Sequence, residues 1–117
     1  MPSMVIRIEP DKLQDADLDL RYEIPDLLAE RSGGLIKDDG YDYEPHGNAM
    51  QIYLRTLDLD SAVPQVVAFL ETERLHGNHL SDAAQVGISE AEASATKQFR
   101  VVYPAGASGF ILPPAVP

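Results

Sequence analysis

The hexapeptide Met50-Gln51-Ile52-Tyr53-Leu54-Arg55 alternates apolar and polar residues without a fault. That is the period of a strand with one face buried, so the chain must build a sheet and cover one side of it. The cover follows directly. After Asp58-Leu59-Asp60-Ser61, residues Val63, Val66, Val67 and Leu70 recur at helical spacing, with Phe69 beside them. Ser61 reads as the cap, which places Pro64 in the first turn, where its missing N–H costs least. The helix is expected to run to about His76.

The same two periods recur upstream. Residues 4–9, around Val5-Ile6-Arg7-Ile8, read as a first strand ended by Glu9-Pro10. Asp17 to Ile24 alternates like a strand, yet Leu20, Ile24, Leu27 and Leu28 also share one helical face. Pro25 suits a first helical position. The reading is therefore a helix from Pro25 to Arg31, stopped by Ser32-Gly33-Gly34, with residues 17–24 as a kinked lead-in turn and a strand as the competing reading. Leu35 to Tyr43 is a second strand interrupted at Asp38-Asp39-Gly40, and Pro45-His46-Gly47-Asn48 is a hairpin loop. Residues 84–88 and 99–103 complete the strands.

The resulting order predicts an α+β fold, a two-layer β-α-β-β-α-β sandwich of ferredoxin-like type with an added C-terminal strand. The single domain spans residues 1–103. Residues 104–117 form a Pro/Gly-rich tail whose one compact apolar run is Phe110-Ile111-Leu112. Pro113 and Pro114 favour docking of those side chains over strand pairing. A reciprocal contact through the tail would make a homodimer, which is preferred here to packing within one chain. The core is expected to unite Val5, Ile52, Leu54, Val67, Leu70, Val86 and Ile88.

The strings DLRYEIPDLLAERSGG, DDGYDYEPHGNAMQIYL and DLDSAVPQVV resemble a group of short uncharacterised bacterial proteins, over about residues 5–103. The resemblance implies a small standalone domain. No established activity goes with that group, so it carries over no functional residue. Small acidic proteins of this general shape also resemble immunity proteins, which neutralise a partner toxin.

Composition narrows the chemistry. Nine basic against 19 acidic residues leave a formal net charge of −10, which opposes nucleic-acid binding and favours encounter with a basic protein. There is no cysteine, hence no disulfide, thiolate metal site or thiol nucleophile. No apolar run reaches membrane-spanning length, and MPSMVIRIEP has no signal-peptide pattern, so a cytoplasmic location is expected.

Two HGN triplets, at 46–48 and 76–78, contain His46 and His76, and His79 follows closely. Chain direction puts all three histidines at one end of the sandwich, beside Asp15, Asp17 and Asp19. With the strand order 4-1-3-2, however, about 10–14 Å would separate the two triplets. Zinc–nitrogen bonds span only ~2.0 Å. The triplets therefore read as two turns, with His46, His76 and His79 as weak metal candidates and no cofactor expected. A calcium loop over Asp15 to Asp26 fails because Leu20 stands where glycine is needed and Pro25 intrudes. No phosphate-binding glycine motif, Gly-x-Ser-x-Gly or His-Glu-x-x-His is present.

The stretch Asp38 to Glu44 remains. On a strand its acids and its tyrosines alternate between faces. Tyrosine is enriched in interfaces. The expected function is a non-enzymatic protein-interaction module of immunity or inhibitor type, binding a basic partner through Asp38, Asp39, Tyr41, Asp42, Tyr43, Glu44 and Tyr53. The competing reading is a small-ligand or enzyme domain using the end that bears His46, His76 and His79.

Overall fold

The computed structural model describes residues 1–114. The strands are β1 (Ser3–Ile8), β2 (Ile36–Tyr43), β3 (Met50–Thr56), β4 (Arg74–Leu75), β5 (Asn78–His79), β6 (Ala84–Ser89), β7 (Phe99–Tyr103) and β8 (Phe110–Ile111). The helices are α1 (Leu20–Arg31) and α2 (Leu59–Thr72). Six strands form one sheet in the order β2-β3-β1-β6-β7-β8, antiparallel at every pairing. β4 and β5 make a separate small hairpin. The architecture is mixed α+β, with both helices on one face of the sheet.

Both helices begin upstream of where their prolines suggest. Pro25 and Pro64 each occupy the sixth helical position, inside rather than at the first turn. There each proline removes one intrahelical hydrogen bond. Burial offsets that loss. Leu20 and Ile24 are fully buried ahead of or beside Pro25, and Ala62 is fully buried ahead of Pro64. The helical period over 20–28 therefore prevails over the alternation of Asp17 to Ile24. The cap of α2 is Asp58, not Ser61. Its carboxylate accepts from the Ser61 N–H at 3.2 Å and from the Ser61 hydroxyl at 2.9 Å. At the other end α2 stops at Thr72, short of His76, because Glu73 turns extended into the β4–β5 hairpin.

The sheet has two unlike faces. The helix-covered face carries Met4, Ile6, Ile8, Met50, Ile52, Leu54 and Val86 against Leu20, Ile24, Leu28, Ala62, Val66, Phe69 and Leu70. Of the expected core, Ile52, Leu54, Leu70 and Val86 lie here, all fully buried. Val67 and Ile88 are only partly buried at its margin. Val5 lies elsewhere: it belongs to a second, smaller cluster with Phe99, Val101 and Ile111. That cluster sits on the face without helices, because Val5 is out of phase with Met4 and Ile6 along β1.

The tail expectation is corrected in part. Phe110 and Ile111 precede the two prolines and pair with Arg100 and Phe99, so the run does extend the sheet, as its edge strand. Strand alternation then buries Ile111 and leaves Phe110 and Leu112 exposed, at 58% and 64%. Only one of the three expected docking side chains docks, and it does so on its own chain. Residues 115–117 of the tail lie outside the described residues.

Candidate functional site

Three places concentrate polar or aromatic side chains. The first lies where the start of α1 meets β2, at the free edge of the sheet. Tyr41 and Tyr43 stand opposite Ile52 and Met50, hence on the helix side of β2. Tyr22 reaches them from α1. The Tyr22 and Tyr41 rings meet edge to face with centroids 5.8 Å apart, as do Tyr41 and Tyr43. Arg21 threads between them: its guanidinium carbon is 4.7 Å from the Tyr22 ring centre and 5.2 Å from that of Tyr41. One of its terminal nitrogens donates to the Tyr43 hydroxyl at 3.0 Å. Its Nε is buried without a hydrogen-bond partner.

Tyr41, with help from Arg21, pulls the Tyr22 phenol below its usual range, and Tyr22 in turn pushes that of Tyr41 above it. All three rings remain open to solvent, at 47%, 38% and 37% for Tyr22, Tyr41 and Tyr43. Asp38, Asp39 and Asp42 continue along the exposed strand. A bulge between Asp38 and Tyr41 interrupts the alternation there. It places Asp38, opposite Leu54, on the same side as the tyrosines, while Asp42, opposite Gln51, points to the helix-free side.

The second place is the centre of the helix-free face. Arg7 grips Glu44 with two hydrogen bonds, 2.6 Å and 2.9 Å, and reaches Glu9 at 2.8 Å. Gln51 is fully buried. Its amide donates to Glu44 at 2.8 Å and to the Leu112 carbonyl at 2.9 Å, and its oxygen accepts from the Tyr53 hydroxyl at 2.9 Å. Arg7 holds the Glu44 carboxyl below its usual range. Burial pushes the Tyr53 phenol up to about 12. Tyr53 stacks on Phe99 with centroids 6.1 Å apart. Glu44 and Tyr53 are thus occupied within the chain and separated from the tyrosine cluster by the sheet. The expected partner surface is divided: Tyr41, Tyr43 and Asp38 are on one side, Asp42, Glu44 and Tyr53 on the other.

The third place is the His76 turn. His76 Nε2 lies 2.8 Å from Glu23 Oε1, and its Nδ1 lies 3.9 Å from Asp17 Oδ2. The contact with Glu23 raises the His76 pKa above its ordinary value, and Asp17 and Asp15 act in the same direction. His76 is the one non-glycine residue with positive φ among the described residues, at 53°. The three histidines do not converge. His46 lines a cavity of about 590 Å³ on the helix-free face with Arg7, Glu44 and Phe110. His79 is exposed in β5, opposite Arg74.

Arg21, Tyr22, Gln51 and Glu23 take part in these clusters without having been singled out by the sequence. Tyr22 and Glu23 fall on the outer side of a helix that the sequence starts only at Pro25, so no pattern announces them. Gln51 is the polar half of a strand alternation and reads as solvent-facing until β8 and the tail cover it.

No protein-family model, no curated protein and no solved structure matches the chain.

Proposed function

We propose that the chain is a non-enzymatic protein-interaction module of inhibitor or immunity type that binds a basic protein partner. The contact surface is the Tyr22, Tyr41, Tyr43 and Arg21 cluster, with Asp38 at its margin. The observation that carries the reading is the exposure of three interlocked tyrosines at a sheet edge. Rings held in place by one another lose little freedom on binding, and Tyr with Arg dominates the energetic centres of interfaces. The acidic margin and the net charge of −10 favour a basic partner over an acidic one. The framework we read as ferredoxin-like for the four strands β6-β1-β3-β2, widened by β7 and β8. Dimerisation through the tail is a separate proposal, and Phe110 and Leu112 are the exposed side chains it would use.

The test is capture of a partner by the tagged chain from its own host's extract at about 0.05 M salt, followed by elution at about 0.5 M. A basic protein should be retained at low salt and released at high salt. Tyr41→Ala and Tyr22→Ala should each abolish retention while leaving the fold intact. Retention indifferent to both substitutions would contradict the assignment of this surface.

A further inference from the structure

We propose that Asp17, Glu23 and His76 form a binding site for a borderline divalent cation of the zinc type. The site is distinct from the tyrosine surface, although α1 contributes to both.

Taking one donor atom from each residue, all three lie within 4.8 Å of one another. Donors sharing a zinc ion at ~2.0–2.2 Å stand about 3.4 Å apart in tetrahedral geometry. The observed spacing thus needs side-chain adjustments of about an ångström, within the reach of a rotamer shift. The side chains are 31–36% exposed, so water can complete the coordination sphere.

Three separate chain segments supply the donors, and two of them are tied together from behind. Asp17 Oδ1 accepts from the Asp19 N–H at 2.8 Å, which leaves Oδ2 for the side facing His76. Glu23 stands on the first turn of α1. His76 stands at the tip of the β4–β5 hairpin in a left-handed conformation. That hairpin is tied to the Asp17 loop by Asn78, a fully buried side chain. Asn78 accepts from the Asp15 N–H at 2.7 Å and donates to the Asp15 carbonyl. A buried amide that fixes one ligand-bearing segment to another is the kind of support metal sites need.

The donor set also discriminates. Oxygen-only sites favour calcium or magnesium, whereas an imidazole beside two carboxylates suits zinc and its neighbours. Asp15 and Asp19 flank the site and make its surroundings negative. This reading replaces the expectation that the HGN triplets act only as turns. The missing partners of His76 were carboxylates of the loop before α1 and of α1 itself, not the other histidines.

The experiment is titration of the untagged, chelator-stripped chain with zinc chloride, by calorimetry and by thermal unfolding. The wild type should bind one equivalent and gain about 5 °C or more in Tm at saturation. His76→Asn, which tolerates the left-handed backbone, and Glu23→Gln should each weaken binding at least about tenfold. His46→Asn and His79→Asn should bind as the wild type does, and calcium at equal concentration should give no Tm gain. The site is refuted by no zinc binding up to about 1 mM, well above any useful affinity. It is equally refuted if the control histidines matter as much as His76, or if calcium substitutes for zinc.

Discussion

The two faces of the sheet are stabilised by different means. The helix-covered face buries a continuous apolar layer from β1, β3, β6, α1 and α2. The helix-free face buries four apolar side chains, Val5, Phe99, Val101 and Ile111, and completes its cover with Arg7, Glu44, Gln51 and Tyr53. Apolar burial scales with area and involves no titrating group or screened charge. A charged network is local, directional and sensitive to both. The first face should therefore govern global stability. The second should govern whether β7, β8 and the tail stay in place.

The largest effect is expected from Leu70→Ala on the helix-covered face, a loss of about 2–5 kcal/mol in chemical denaturation, because a fully buried side chain leaves a cavity. A loss below ~1 kcal/mol would undo the ranking of the two faces. Next comes Gly87→Ala on the other face. A methyl group there would stand 2.7 Å from Phe99 Cβ and 3.2 Å from Val5 Cγ1. The neighbours are stiff, so the expected cost is about 1–3 kcal/mol, with hydrogen exchange rising in β7 and β8 before the helices.

Acid should sharpen the contrast. Glu44 has its folded pKa depressed by Arg7, so its contribution is complete above the ordinary carboxyl value of 4.5 and disappears as pH falls through the lower folded value. With the Glu44 side chain 20% exposed, the contribution is on the order of 1 kcal/mol. Glu44→Gln should remove that part of the acid dependence of stability, measured by denaturation between the two pKa values. The smallest effect on stability is expected from Tyr41→Ala, within ~0.5 kcal/mol, since the ring is exposed. Its effect on partner affinity should nevertheless reach about 30-fold, as for an interface centre.

The alternation in β3 and the helical stripe of α2 made the helix-covered face legible, because one period dominates each segment. Val66 and Leu70 follow from spacing alone. The helix-free face was not legible. Val5 reads as a core residue and Ile111 as a docking residue of the tail, but nothing local says that they meet each other. That depends on β7 and β8 being added beyond β6. The site was half visible. Tyr41 and Tyr43 announced themselves by alternation, whereas Tyr22 and Arg21 required the helix to begin before Pro25, against the local preference of proline. His76 was conspicuous as a residue, but its partners Asp17 and Glu23 come from 53 to 59 positions away in sequence. Their approach is set by the Asn78 clamp, which no sequence period encodes.

We propose that a basic partner is held at the α1–β2 edge and not on the helix-free face. Hydrogen exchange of the chain, alone and bound to its captured basic partner, measures this directly. Protection on binding is expected across residues 20–23 and 38–43, with β7 and β8 unchanged. Protection confined to residues 99–112, with the tyrosine cluster unaltered, would contradict it.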